Sequence, residues 1–222
     1  MMTDFLQLLN DWDTQLLLAI NGWHSPFFDS FMYAYSGKLV WVPMYVALAY
    51  VLFRNFSWRV AVAALVGVAL TIVFADQVGA SLIRPWAERM RPSNADNPIS
   101  DLVHLVNGYR GGRYGFPSCH AANTFGLAFY LMFLFRRKGF TLFIMAWALL
   151  TCYSRSYLGV HYPGDLLAGA LLGLLGAALC YGLFRWAVRY KRPWRFKHLW
   201  VPVAVGGLTV AGLLVYSSLH VL

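Results

Sequence analysis

The chain has 222 residues and a net charge of +9, with 59% hydrophobic and only 12% charged residues. A soluble domain carries about 25% charged residues. This chain therefore lacks the polar groups to cover itself, and its surplus apolar surface belongs in a bilayer. Three cysteines with no CxxC pair exclude a disulfide scaffold and a zinc ribbon.

The length fits one domain over 1–222. Asp4, Asp11 and Asp13 stand where a cleavable signal would need basic residues. Phe5, Leu8, Leu9, Trp12, Leu16 and Ala19 recur near helical spacing. Asp11 and Asp13 make a span costly, so the stretch 3–24 is expected to lie in the interface as an amphipathic helix. The aromatic stretch Pro26 to Tyr35 is too short to cross ~30 Å of hydrocarbon, and residues 1–37 form an interfacial N-terminal segment. Six spans follow, near 39–53, 58–83, 121–135, 140–153, 166–188 and 199–219. The expected fold is all-α: a polytopic bundle of about six membrane helices.

Basic residues orient the bundle. Arg54 and Arg59 flank one turn, Arg136, Arg137 and Lys138 fill a second, and Arg185, Arg189, Lys191, Arg192, Arg195 and Lys197 a third. Six spans place all three on one side, which the positive-inside rule makes cytoplasmic. Trp186, Tyr190, Trp194 and Phe196 interleave the last run, which reads as an interfacial anchor rather than a nucleic-acid patch. Residues 84–118 and 154–164 then share the outer side.

Three polar clusters gather there. Arg84, Arg89 and Arg91 put three arginines within eight residues, against the charge rule. Snorkelling is the plain alternative. Arg91 lies seven positions after Arg84, about two turns if both lie on one helix. Pro117 and Ser118 fit a helix start, whose free N–H groups suit an anion; an ordinary capped helix beside a surface His120 is the alternative. The third cluster runs from Ser154 to Asp165. Arg155 offers a two-pronged donor, and His161 a neutral imidazole near pH 7. Asp165 follows one turn later, placed to fix the His161 tautomer. Asp76 lies within the second span, where pairing with an arginine is expected. His104, Arg110 and Arg113 belong to the outer loop as substrate contacts or solvated residues, and His24, His198 and His220 look interfacial.

Together these groups supply what phosphoryl transfer needs: cations to clamp the equatorial oxygens, a nucleophile, and an acid for the leaving group. The residues leave open which histidine attacks. Arg84-x6-Arg91-Pro92, Pro117-Ser118-Cys119-His120 and Ser154-Arg155-x5-His161-x3-Asp165 resemble the three-part signature of the type 2 phosphatidic acid phosphatase superfamily. That family includes membrane lipid phosphatases and, more distantly, vanadium haloperoxidases. The resemblance covers about residues 60–185, taken as the catalytic core. It implies that His161 attacks phosphorus, Asp165 orients it, and His120 protonates the leaving oxygen and then activates water. It implies that Arg84, Arg91, Arg155, Ser118 and the Cys119 N–H hold the phosphoryl oxygens. Two positions depart from the family: Arg84 stands where Lys is usual, and Cys119 where Gly is usual. Cys119 costs little if it opens a helix.

The implied function is a metal-independent, cofactor-free lipid phosphatase of the bacterial inner membrane. Its site faces the periplasm and its partners are the lipid substrate and the bilayer, without nucleic acid; the oligomeric state stays open. The compact chain looks similar to the family's lipid A and undecaprenyl-diphosphate phosphatases, with phosphatidylglycerophosphate and phosphatidate next. A lipid-to-lipid phosphotransferase, an anion transporter, and a metal site of His120, His161 and Asp165 are the rivals.

Overall fold

The computed structural model describes residues 2–191, 193 and 195–220. Arg192 and Trp194 of the basic run, and the side chains of Asp4 and Phe5, lie outside the described residues. Among those described, the chain is helical apart from one isolated antiparallel bridge, Met90 to Tyr114. The helices are α1 (Met2–Gly22), α2 (Pro26–Tyr35), α3 (Val42–Asn55), α4 (Trp58–Asp76), α5 (Arg84–Ala87), α6 (Cys119–Phe135), α7 (Lys138–Tyr157), α8 (Pro163–Val188) and α9 (Trp200–Leu219). A π-helical stretch, Gln77–Ile83, joins α4 to α5 in one rod.

Among the described residues, three helices are long and apolar enough to cross a membrane alone: Trp58–Ala87, α8 and α9. The helices Pro26–Tyr35 and Leu39–Asn55, bent by 68°, reach that length and apolarity only when taken together, as a broken span or a re-entrant loop. α6 is apolar but has only 17 residues. α7 has 20, and its ends carry Lys138 and Arg155. These rods correspond to the six expected segments. α7 continues as helix through Arg155, and α6 opens on Cys119 and His120, so site residues sit on the helix ends. On α8, Leu167, Leu171, Leu175, Leu179 and Leu183 form an exposed stripe at every fourth position, the face for lipid. α1 leaves Leu8, Leu9, Trp12 and Leu16 exposed and buries Leu17 and Asn21.

The opposite face of α8 sets the architecture. A Cβ on Gly169 would lie 2.4 Å from the Ser118 carbonyl, and one on Gly173 2.4 Å from that of Ala122. Gly126 of α6 meets Gly173 in return. This small-xxx-small match lets two backbones touch where larger residues would hold them apart. It also fixes the N-termini of α6 and α8 side by side, with the Ser118 N–H donating to the Asp165 carbonyl at 3.0 Å.

The three basic turns converge at one end. Lys197 and Asn55 exchange hydrogen bonds of 2.6 and 2.8 Å, and the Arg137 guanidinium stands over Phe196. The polar clusters gather at the other end, where α1, the 88–118 loop and the α7–α8 turn meet.

Candidate active site

The α7–α8 turn comes first. Gly159 adopts φ +69, where a Cβ would strike Val103, and the chain reverses into Val160 and His161. Pro163 then starts α8 with its fixed φ. Asp165 reaches back to accept from the Tyr162 N–H at 3.2 Å, and its Oδ2 lies 3.4 Å from His161 Nδ1. Both His161 and Asp165 are buried.

Arg91 arrives from the long loop. α5 ends at Glu88, whose left-handed φ of 43 turns the chain out of the helix. The strand-like stretch beyond it is pinned by Arg91 N–H to the Arg113 carbonyl at 3.0 Å and Gly115 N–H to the Arg89 carbonyl at 2.9 Å. Arg91 Nη1 donates to the Val160 carbonyl at 2.9 Å and sits 2.6 Å from His161 Nε2. Gly115 crosses directly over the pair. A Cβ there would lie 3.0 Å from Asp165 Oδ2 and 3.4 Å from His161 Nδ1.

Arg84 donates to the Pro117 carbonyl and to Cys119 Sγ, each at 3.0 Å. Arg155 donates to Ser36 Oγ and, at 3.1 Å, to the Tyr109 hydroxyl. The three guanidiniums act on one another. Burial first, then the Arg155 and Arg84 charges, hold the Arg91 pKa down at about 10. Burial, reinforced by Arg91, Arg155 and Arg84, holds His161 well below the ordinary imidazole value. His161 is therefore neutral near pH 7, and a proton on Nδ1 toward Asp165 leaves the Nε2 lone pair for a reacting atom.

Among the described residues, Arg84 Nε, Arg91 Nε and Arg155 Nε are all buried without a hydrogen-bond partner. One orphaned donor is a cost of about 1–3 kcal/mol. Three of them, on cations around one neutral imidazole, form a cradle suited to an oxyanion. His120 and Cys119 line a cavity of about 490 Å³ that continues past Trp41, Leu48, Leu65 and Leu127 into the apolar bundle. Its lining is polar at Lys38, Asp76, His120 and Asn123 and apolar deeper in the bundle.

All eight expected site residues converge here, but not all by the expected route. Arg84 and Arg91 do not share a helix, because the chain leaves α5 at Glu88. Asp76 pairs with Asn123 Nδ2 at 3.0 Å rather than with an arginine. The wider π turns between Asp76 and Arg84 shift the helical phase on which that pairing depended. Cys119 does open α6 in its first turn. His104 ties the loop to α2 and Arg110 holds the loop to itself: His104 Nε2 meets Asp29 Oδ2 at 2.9 Å, and Arg110 donates to the Ser93 carbonyl at 2.7 Å. His24 stacks on His104, and His220 on Tyr216.

Four residues escaped the sequence reading. Arg89 bridges Asp165 and Asp13 at 2.7 Å each, and Asp13 also accepts from the Gly164 N–H at 2.7 Å. Burial opposes charge on Arg89, but the two carboxylates outweigh it and raise its pKa. Ser36 and Tyr109 hold Arg155. Only Asp13 carried a signal, as a carboxylate inside an apolar helix; nothing local separates Arg89 from its neighbours Arg84 and Arg91.

The profile of the PAP2 superfamily matches residues 60–189. The chain is 50% identical over 220 residues to the lipid A 4'-phosphatase of Bacteroides thetaiotaomicron, covering 96% of this chain and 98% of that one. It is 36% identical over 175 residues to the lipid A 4'-phosphatase of Porphyromonas gingivalis, covering 79% and 74%. The crystal structure of Aquifex aeolicus LpxE shares the fold at a TM-score of 0.58 and 23% identity, over 76% of this chain and 94% of that one.

Proposed function

This chain belongs to the PAP2 superfamily, and on that premise we propose that it is a membrane phosphatase removing the 4'-phosphate of lipid A through a phosphohistidine. The observation that carries the chemistry is the set of three buried, unpartnered guanidinium Nε–H groups around the neutral His161. The substrate class rests on the near full-length likeness to lipid A 4'-phosphatases and on the apolar cavity that starts at His120.

In this mechanism Arg84, Arg91 and Arg155 take the phosphoryl oxygens, with the Cys119 N–H and Ser118 at the positive end of α6. Arg91 Nη1 exchanges His161 Nε2 for a phosphoryl oxygen. The freed Nε2 attacks phosphorus as the bond to the lipid oxygen breaks. His120, on the side of the lipid cavity, takes up the proton that the phosphate monoester brings and gives it to that oxygen. Asp165 stabilises the imidazolium through Nδ1. A water then gives a proton to His120 and attacks phosphorus, breaking the P–N bond and releasing inorganic phosphate and free His161. The core over 60–185 does the chemistry, and the 1–37 segment completes it with Asp13 and Ser36. The site lies opposite the basic turns, which supports a periplasmic face on the bacterial inner membrane.

Purified protein in detergent, given lipid A, undecaprenyl diphosphate or phosphatidylglycerophosphate separately, tests the proposal. Mass spectrometry is expected to find lipid A without its 4'-phosphate, with free phosphate released in equal amount and no product from His161→Ala. Turnover of undecaprenyl diphosphate with lipid A left intact would overturn the substrate. Transfer of the phosphoryl group to a second lipid, without free phosphate, would overturn hydrolysis.

A further inference from the structure

A second cluster of ligating side chains lies at the same end of the bundle, outside the catalytic group. His24 follows α1, Asp29 lies on α2, and His104 comes from the long loop. Each offers one donor atom, and the three atoms lie within 4.8 Å of one another. We propose that His24, Asp29 and His104 form a structural site for a zinc-class divalent cation that ties the α1–α2 junction to the outer loop.

The ligand set selects the ion. Two imidazoles and one carboxylate suit zinc, cobalt or nickel, whereas calcium and magnesium require oxygen donors. The spacing also fits. Tetrahedral bonds of about 2.0 Å put neighbouring donor atoms roughly 3.3 Å apart. His104 Nε2 and Asp29 Oδ2 stand 2.9 Å apart, and the largest separation in the trio is within 4.8 Å. The ion needs a small opening of one pair and a small closing of another. His24 is exposed, with its ring parallel to His104 at 3.7 Å. To bind the ion, the His24 ring must leave this stack and turn a nitrogen inward, which its exposed position allows.

Buried partners already aim the other two ligands, as a second shell does at metal sites. The Tyr157 hydroxyl donates to Asp29 Oδ1 at 2.6 Å, which leaves Oδ2 for the ion. Asn21 grips the His104 backbone from both sides, accepting from its N–H at 2.8 Å and donating to its carbonyl at 3.0 Å. Tyr157 and Asn21 are each only 1% exposed, so this frame is rigid. On binding, the His104 Nε2 proton moves to Nδ1 through solvent, the His104–Asp29 hydrogen bond is exchanged for two bonds to the ion, and a water supplies the fourth ligand.

The test uses the full-length, tag-free protein in detergent, stripped with a chelator and exchanged into clean buffer. Zn²⁺ is titrated, bound metal is counted after gel filtration, and thermal unfolding is followed. Wild type is expected to retain one Zn²⁺ per chain and to gain thermal stability. His24→Gln, which changes an exposed side chain, is expected to bind at least tenfold more weakly and lose the gain. His161→Ala and His120→Ala are expected to bind like wild type. Equal binding by wild type and His24→Gln would overturn the proposal, as would loss of Zn²⁺ only on removing His120 or His161.

Discussion

Replacing Arg89 with alanine removes the shared partner of two carboxylates. Arg89 touches Asp165 Oδ1 and Asp13 Oδ2 at 2.7 Å each, with side-chain exposures of 22%, 0% and 14% for Arg89, Asp165 and Asp13. Stripping one partner from a buried ion pair costs about 3–5 kcal/mol, because the remaining charge is left in an apolar setting. Asp165 keeps the Tyr162 N–H at 3.2 Å, and Arg89 is partly solvated, so the low end applies, about 3 kcal/mol. If most of that falls on the state in which Asp165 must stabilise the His161 imidazolium, kcat drops about 100-fold, at 1.36 kcal/mol per decade. Both Arg89 Nη atoms are engaged by Asp165, Asp13 and Asn10, so KM should change little. It is a positioning residue, and Arg89→Lys should recover part of kcat, since a point charge serves one carboxylate better than two. The assay is steady-state phosphate release, with the rate of phosphohistidine formation measured in a single turnover. An Arg89→Ala enzyme with kcat within twofold of wild type would refute this reasoning, and a KM effect alone would assign Arg89 to substrate binding.

His161→Ala should form no phosphoenzyme from radiolabelled substrate, whereas Asp165→Asn should keep a slow reaction, reduced on the order of 10³–10⁴-fold, the scale for losing a carboxylate that fixes a histidine tautomer. Gly173→Val should lower Tm and activity together, because its Cβ would stand 2.4 Å from the Ala122 carbonyl; the cost is about 1–3 kcal/mol, and an unchanged Tm would contradict the close packing of α6 and α8. Because the folded-state pKa of His161 lies well below its unfolded value, the unfolded chain binds the extra proton as pH falls. The contribution of His161 is thus fully present above the unfolded pKa of about 6.5 and is lost below it, by up to about 1.4 kcal/mol per pH unit. Thermal melts from pH 7 to pH 5 should show a shallower slope for His161→Ala than for wild type.

The sequence alone determined the membrane class and the helical segments, and it named the residues proposed for the site. Those features are local: an apolar run reads as a span, and Arg155, His161 and Asp165 declare their chemistry by type and spacing. The convergence of the basic turns followed too, since six spans put Arg54, Arg136 and Lys197 on one side. The packing of Gly169 and Gly173 against Ala122 and Gly126 appeared only in the structure, although their four-residue spacing is local. Other features depended on contacts far along the chain. Of three arginines within eight residues, the left-handed turn at Glu88 sends Arg91 to His161 and leaves Arg89 beside Asp165. The π-helical stretch turns Asp76 toward Asn123. Asp13 is 152 positions from the Asp165 it serves through Arg89, and His24 is 80 from His104. Local propensity has no term for such distances. They are decided when α6 and α8 close on their small residues and draw the N-terminal helix, the outer loop and the α7–α8 turn into one polar cluster.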